Sequence, residues 1–161
     1  WMRSELSIMG LFKGLALVVI VVALAACSRS GTGVGNLPPG GGAPGSQQEF
    51  LVTVGDRVFF ETDSSNLTPT AQQTLDKQAA WLNRYSNYRI LIEGHADERG
   101  TREYNIALGA RRASVVVNYL VSRGVNAQRI TSKSFGKERP VAICNDISCW
   151  SQNRRAVTVV Q

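Results

Sequence analysis

From residue 48 onward, short apolar runs alternate with longer stretches in which apolar positions recur every three or four residues. The first kind reads as strand and the second as amphipathic helix. Val58-Phe59-Phe60 is the first run, followed by the turn-forming loop Glu61 to Asn66. Thr68 then stands as an N-cap with Pro69 in the first helical position. Ala71, Leu75, Ala79 and Leu82 give that helix a core stripe, flanked by Trp81 and Tyr85. Ile90-Leu91-Ile92 reads as a buried strand, and Gly94 and Gly100 bracket a polar loop holding His95, Asp97, Glu98 and Arg99.

A second helix follows from near Arg102. Ile106, Ala110, Ala113, Val117 and Leu120 step by four and three, which predicts its buried face. Asn105, Leu108 and Arg112 form another stripe on a different face, beside the loop that carries Asp97. Gly124 ends the helix. Ile130 to Phe135 predicts a strand, 136–150 a loop, and Arg154 to Val160 a final strand. The order is β-α-β-α-β-β, an α+β domain over 48–161 with both helices on one face of a mixed sheet.

The residues before this head are of another kind. Residues 14 to 26 are uncharged and apolar, behind a basic start at Arg3 and Lys13. They fall short of the roughly 20 residues that span a bilayer core, and they fit a signal-peptide apolar region instead. Met9 would open a compact signal of this kind. Leu24-Ala25-Ala26-Cys27 looks like a bacterial lipobox, which predicts cleavage after residue 26 and lipidation of Cys27. Each buried methylene contributes about 0.8 kcal/mol, so two or three acyl chains hold where one does not. Residues 27–47 are rich in Gly and Pro and cannot bury a core. As a flexible tether they average on the order of 25 Å end to end.

Charge changes the picture little. The formal net charge is +6, which alone admits nucleic acid, anionic lipid or an anionic polymer as partner. No Lys/Arg run exceeds two residues, and there is no RNP motif or zinc-ligand set, so nucleic acid is disfavoured and no metal or cofactor is expected. With Cys27 lipidated, Cys144 and Cys149 remain as an even pair in an exported chain. A disulfide is the leading reading and two reduced thiols the other.

A carboxylate near a helix entrance and a guanidinium two turns in can face one pocket. Such a pocket suits a zwitterion, with Asp97 for an ammonium and Arg112 for a carboxylate. Spacing also permits a plainer reading, in which Asp97 caps a loop or helix and Arg112 pairs with Glu98 or Glu103. His95 is the only histidine and has no partner for a metal or a recognisable nucleophile. A glycoside hydrolase would need two facing carboxylates, for which Glu93 and Asp97 are the candidates.

The run Glu93 to Thr101, the triplet Tyr104-Asn105-Ile106, the Arg111-Arg112-Ala113 turn and the stretch Asn153 to Val157 together resemble the OmpA-like peptidoglycan-binding family. The resemblance covers about residues 48 to 161 and is strongest to the lipid-anchored branch of that family. It implies a β-α-β-α-β-β sandwich and no enzymatic activity. It also implies non-covalent binding of the diaminopimelate residue in the peptide stem of peptidoglycan. Carried over, Asp97 takes the ammonium, Arg112 the carboxylate, and Asn105 and Leu108 shape the pocket. Phe60, Glu61, Thr62 and Asp63 match the family's first loop, although Glu61 stands where Asp is frequent. The resemblance further implies an outer-membrane lipoprotein, permitted there by Ser28, with its head in the periplasm. Its role would be to tether that membrane to the wall, in envelope integrity and cell division. TolB and the Tol system are the implied protein partners. The family pattern does not require the Cys144/Cys149 pair.

Overall fold

The computed structural model describes residues 41–161. The expected signal segment, Cys27 and most of the linker lie outside the described residues. Four strands and three helices beyond a first helical turn make up the head: β1 (Arg57–Phe59), α1 (Pro69–Arg84), β2 (Ile90–His95), α2 (Arg102–Ser122), β3 (Ile130–Gly136), α3 (Ile147–Asn153) and β4 (Arg155–Val160).

The sheet runs β1-β4-β2-β3. β4 is antiparallel to both neighbours, so β1 and β2 are parallel to each other; β2 and β3 pair directly in parallel. Each of the two long helices therefore carries the chain from one strand to another of the same direction. Alternation decides which side they cover. Val58 of β1, Ile90 and Ile92 of β2, and Ala156, Thr158 and Val160 of β4 are buried, whereas the residues between them are partly or fully exposed. Leu75 and Leu82 of α1 and Val116 and Leu120 of α2 complete the core. A Leu or Ile buried this far contributes about 1.5–3 kcal/mol.

Local chemistry sets the helix limits. Thr68 accepts from Ala71 N–H and Thr101 from Tyr104 N–H, and Pro69 opens α1 where its missing N–H costs nothing. At the far end of α1, the Arg129 guanidinium donates to the carbonyls of Leu82, Tyr85 and Tyr88, which would otherwise be left without partners. Buried Gln78 is satisfied on both sides, donating to Gly55 O and accepting from Thr158 Oγ1.

Three expectations need correction. First, the buried face of α2 is Asn105, Leu108, Gly109, Arg112, Ala113, Val116 and Leu120, while Ala110 is exposed and Ile106 and Val117 only half-buried. The stripe read as a separate face is the buried one. Its polar members Asn105 and Arg112 disguised it, because carbonyls of other segments satisfy them inside the protein. Second, the loop 136–150 contains the start of α3, a two-turn helix capped by Asp146, too short to show an apolar period. Third, residues 45 to 47, placed in the linker by composition, are held to the head. Tyr88 Oη donates to Gly45 O, and Gln47 Nε2 to Val160 O. Phe50, three residues beyond Gln47 in the helical turns that begin there, is fully buried against Trp81.

Candidate functional site: a charged pocket at the end of β2

Beyond His95, β2 runs into the loop Ala96 to Gly100, and α2 begins two residues later. The loop sits low over the helix because α2 lies unusually close to the sheet. A Cβ on Gly94 would fall 1.8 Å from Gly109 O, so only two glycines allow this approach. The closeness puts Asp97, Asn105 and Leu108 around one hollow of about 300 Å³, lined also by Thr62, Asp63, Arg99, Gly100 and Tyr104.

Asp97 is only 7% exposed. Its carboxylate takes Arg99 Nε at 3.1 Å and Arg99 N–H at 3.2 Å on one oxygen, and Arg99 Nη2 at 2.7 Å and Arg154 Nη1 at 3.4 Å on the other. Burial pushes this carboxyl upward, but the Arg99 hydrogen bonds and charge, with Arg154 behind them, hold it below the usual carboxylate range. Asp97 is therefore ionised at neutral pH. Asn105, buried, donates to Arg99 O at 2.8 Å, and Lys137 Nζ donates to the carbonyls of Glu98 and Gly100, so the loop backbone is fixed from two sides.

Arg112 has no exposed surface at all. Nε donates to Ser64 O at 2.8 Å, Nη1 to His95 O at 2.9 Å and Nη2 to Glu61 O at 3.1 Å, with the guanidinium 5.1 Å from the Phe60 ring centroid. Three of its five N–H donors are thus directed at backbone carbonyls, and two remain. Burial first, then the Arg154 charge, push its pKa down to about 10, which leaves it cationic at neutral pH. Arg112 stands behind the loop Glu61 to Ser64 and lines none of the hollow's surface. Arg111 is exposed on the outer side of α2.

Of the first-loop residues, Thr62 and Asp63 line the hollow, and Tyr104 Oη donates to Asp63. Phe60 and Glu61 instead line a larger cleft of about 470 Å³ beside β1, shared with Arg154. We place the site in the smaller hollow because it holds the buried carboxylate and the polar groups converging on it. Glu93, the second carboxylate of the hydrolase reading, does not line that hollow; its Oε2 lies 3.4 Å from His95 Nε2. Among the described residues no group of three or more His, Cys, Asp or Glu could hold a metal ion. Cys144 and Cys149 are joined as a disulfide with a Cα–Cα distance of 5.6 Å.

Sequence reasoning missed Arg99, Arg154 and Trp150. Arg99 is two residues from Asp97, and that spacing was the available signal. Trp150 and Arg154 reach the site only through the fold, from α3 and from the residue that joins it to β4.

The model of the OmpA family matches residues 59–154. A peptidoglycan-associated lipoprotein from Rhizobium meliloti is 60% identical over 149 residues, covering 89% of this chain and 84% of that protein. One from Brucella melitensis is 55% identical over 160 residues, covering 98% and 92%. The chain therefore belongs to the OmpA family, in its peptidoglycan-associated lipoprotein branch. Among solved structures, the peptidoglycan-associated lipoprotein from Burkholderia pseudomallei superposes with a TM-score of 0.64 at 42% identity, over 66% of this chain and 90% of that one. The C-terminal domain of Helicobacter pylori MotB has the same fold at 21% identity, with a TM-score of 0.62, over 66% of this chain and 84% of that one.

Proposed function

We propose that the head binds the diaminopimelate-bearing peptide stem of peptidoglycan without covalent chemistry. The observation that carries this is the nearly buried, ionised Asp97 on a small hollow with Arg112 directly behind one wall. An ammonium pairs with Asp97. The neighbouring carboxylate is met by the two remaining donors of Arg112 once the loop Glu61 to Ser64 moves aside. Asn105 keeps the Asp97 loop in place, Leu108 supplies the apolar floor, and Thr62 and Asp63 border the entrance. The names of the relatives support the same polymer as ligand.

With Cys27 lipidated, the head would hang in the periplasm from the outer membrane and tether it to the wall, a state that the intact mass of membrane-extracted protein reads directly. TolB and the Tol system are the proposed protein partners, on a surface overlapping the Asp97 loop. Added wall peptide should then reduce co-purification with TolB, and undiminished co-purification rejects the overlap.

The deciding experiment is titration calorimetry of the head with a diaminopimelate tripeptide, with circular dichroism to verify folding. Removing one partner from a desolvated charge pair costs about 2–5 kcal/mol, on the order of 30- to several-thousand-fold in affinity. Asp97→Ala should lose binding on that scale while the fold persists. Unchanged binding by a folded Asp97→Ala protein rejects the site.

A further inference from the structure

An ionised carboxylate offers about four lone-pair positions. Those of Asp97 are all taken: two by the Arg99 side chain, one by the Arg99 backbone N–H and one by Arg154. Any cation that pairs with Asp97 must displace one of these donors. Two of them are poorly placed to leave. The backbone N–H is part of a loop pinned by Asn105 and Lys137. Arg154 is buried, and its Nε is tied to Phe60 O at 2.9 Å.

The Arg99 side chain is different. This side chain is 41% exposed on the rim of the hollow, and its two bonds to Asp97, at 3.1 and 2.7 Å, form a bidentate pair. Its guanidinium also lies 4.3 Å from the ring centroid of Trp150. That ring is not free to drift. Its Nε1 donates to Glu98 Oε1 at 2.9 Å, and the preceding residue, Cys149, is bonded to Cys144. The aromatic face gives the guanidinium a resting surface that persists whether or not Asp97 is engaged.

We infer that Arg99 is a specificity-determining residue that occupies the ammonium position on Asp97 in the free protein, and that a ligand enters by exchanging its own ammonium for that guanidinium. The inference rests on the reading of the hollow as a diaminopimelate site. Its consequence is selectivity. A neutral donor brings too little electrostatic gain to release a bidentate guanidinium, whereas a primary ammonium replaces one positive charge by another and leaves the charge balance around Asp97 intact. Trp150 holds the displaced guanidinium nearby, so the exchange is reversible and the site is never left as a bare buried carboxylate.

The test is calorimetry of the full head with two peptides, the diaminopimelate tripeptide and its counterpart in which the terminal ammonium is replaced by hydrogen. Arg99→Ala removes the internal competitor, so affinity for the ammonium-bearing peptide should rise about 3- to 10-fold, while the analogue gains nothing. Trp150→Ala takes away the surface on which the displaced guanidinium rests, so it should not tighten the first peptide, and a gain there would overturn the role given to the ring. Weaker binding by Arg99→Ala would show that Arg99 holds the ligand and overturn the exchange. Equal gains for both peptides would overturn it too, because the effect would then be one of space. Asp97→Ala separates the two levels of argument. If it abolishes binding while Arg99→Ala changes nothing, only the exchange fails. If it leaves binding unchanged, the reading of the hollow fails and takes the exchange with it.

Discussion

At the scale of the residue, the same chemistry that makes Arg112 useful also made it hard to place. Its position on the helix and its distance from Asp97 were legible in the chain, and so was the outward aim of Arg111. Its depth was not. A guanidinium is seldom fully buried, and only the converging carbonyls of Glu61, Ser64 and His95, from two other segments, make that burial tolerable. Arg112 therefore braces the pocket wall, and in the proposed binding mode it would supply charge to the ligand as well. Arg112→Lys separates these tasks poorly, because an ammonium cannot reach three carbonyls in one plane or meet a carboxylate with two parallel bonds. The variant should bind the diaminopimelate tripeptide at least about 10-fold more weakly and melt at a lower temperature, whereas Arg111→Ala should change neither. Calorimetry and thermal melts of the two variants check this. A damaging Arg111→Ala beside a silent Arg112→Lys would mean that the ligand approaches from the other side of α2.

At the scale of the element, α2 was legible in length and both ends, yet its buried face was assigned to the wrong stripe. The apolar period alone favoured Ile106, Ala110 and Val117. The face that turned inward carries Asn105, Gly109 and Arg112. Glycine gives no apolar signal, yet here it decides the packing. Gly109 is where the helix touches Gly94 of β2, and a Cβ added at Gly109 would sit 2.4 Å from Ser134 Oγ and 2.9 Å from Gly94 O. At Gly94 the obstacle is backbone, at 1.8 Å, which no rotamer change relieves. Gly94→Ala must push α2 off the sheet, so it should cost more than the 1–3 kcal/mol typical of overpacking, and more than Gly109→Ala. Because Asp97 and Asn105 come from the two elements so joined, binding should weaken together with stability. Urea denaturation of both variants measures the order; equal or smaller loss in Gly94→Ala would show that the contact can relax. The strand order, with β4 inserted between β1 and β2, is a long-range pairing that no local pattern announces.

At the scale of the whole molecule, the face of the sheet away from the helices sets the first part of the response to acid. His95 is 1% exposed there, with its ring stacked on Phe135 at 5.5 Å and neither ring nitrogen hydrogen-bonded. Glu93 Oε2 is near enough to pair with a protonated ring, but burial, and after it the charges of Arg155 and Arg139, hold the imidazole neutral and push its pKa down to about 4. Lys133, with its Nζ 4.9 Å from the Phe135 ring centroid, adds no favour to a further cation. The sign of the linkage follows. Between an ordinary value near 6.5 and about 4, the unfolded chain binds a proton that the folded chain refuses, so stability falls as pH drops through that window and this loss levels off below it. The loss is on the order of 3 kcal/mol. Asp97 acts in the adjoining window. Its carboxyl is held below the ordinary 3.8, so its contribution is complete above that value and disappears as pH falls further, through its depressed folded value. Acid should therefore weaken the head in two successive stages with different owners. His95→Asn removes the first stage. Its melting temperature should stay nearly flat between pH 6.5 and 4 while that of the unaltered protein declines, whatever the absolute cost of losing the stack on Phe135. Asp97→Asn should keep the first stage and reduce the second. Melting curves taken every half pH unit for the three proteins check both assignments, and a decline between pH 6.5 and 4 that survives in His95→Asn would assign the first stage to some group other than this imidazole.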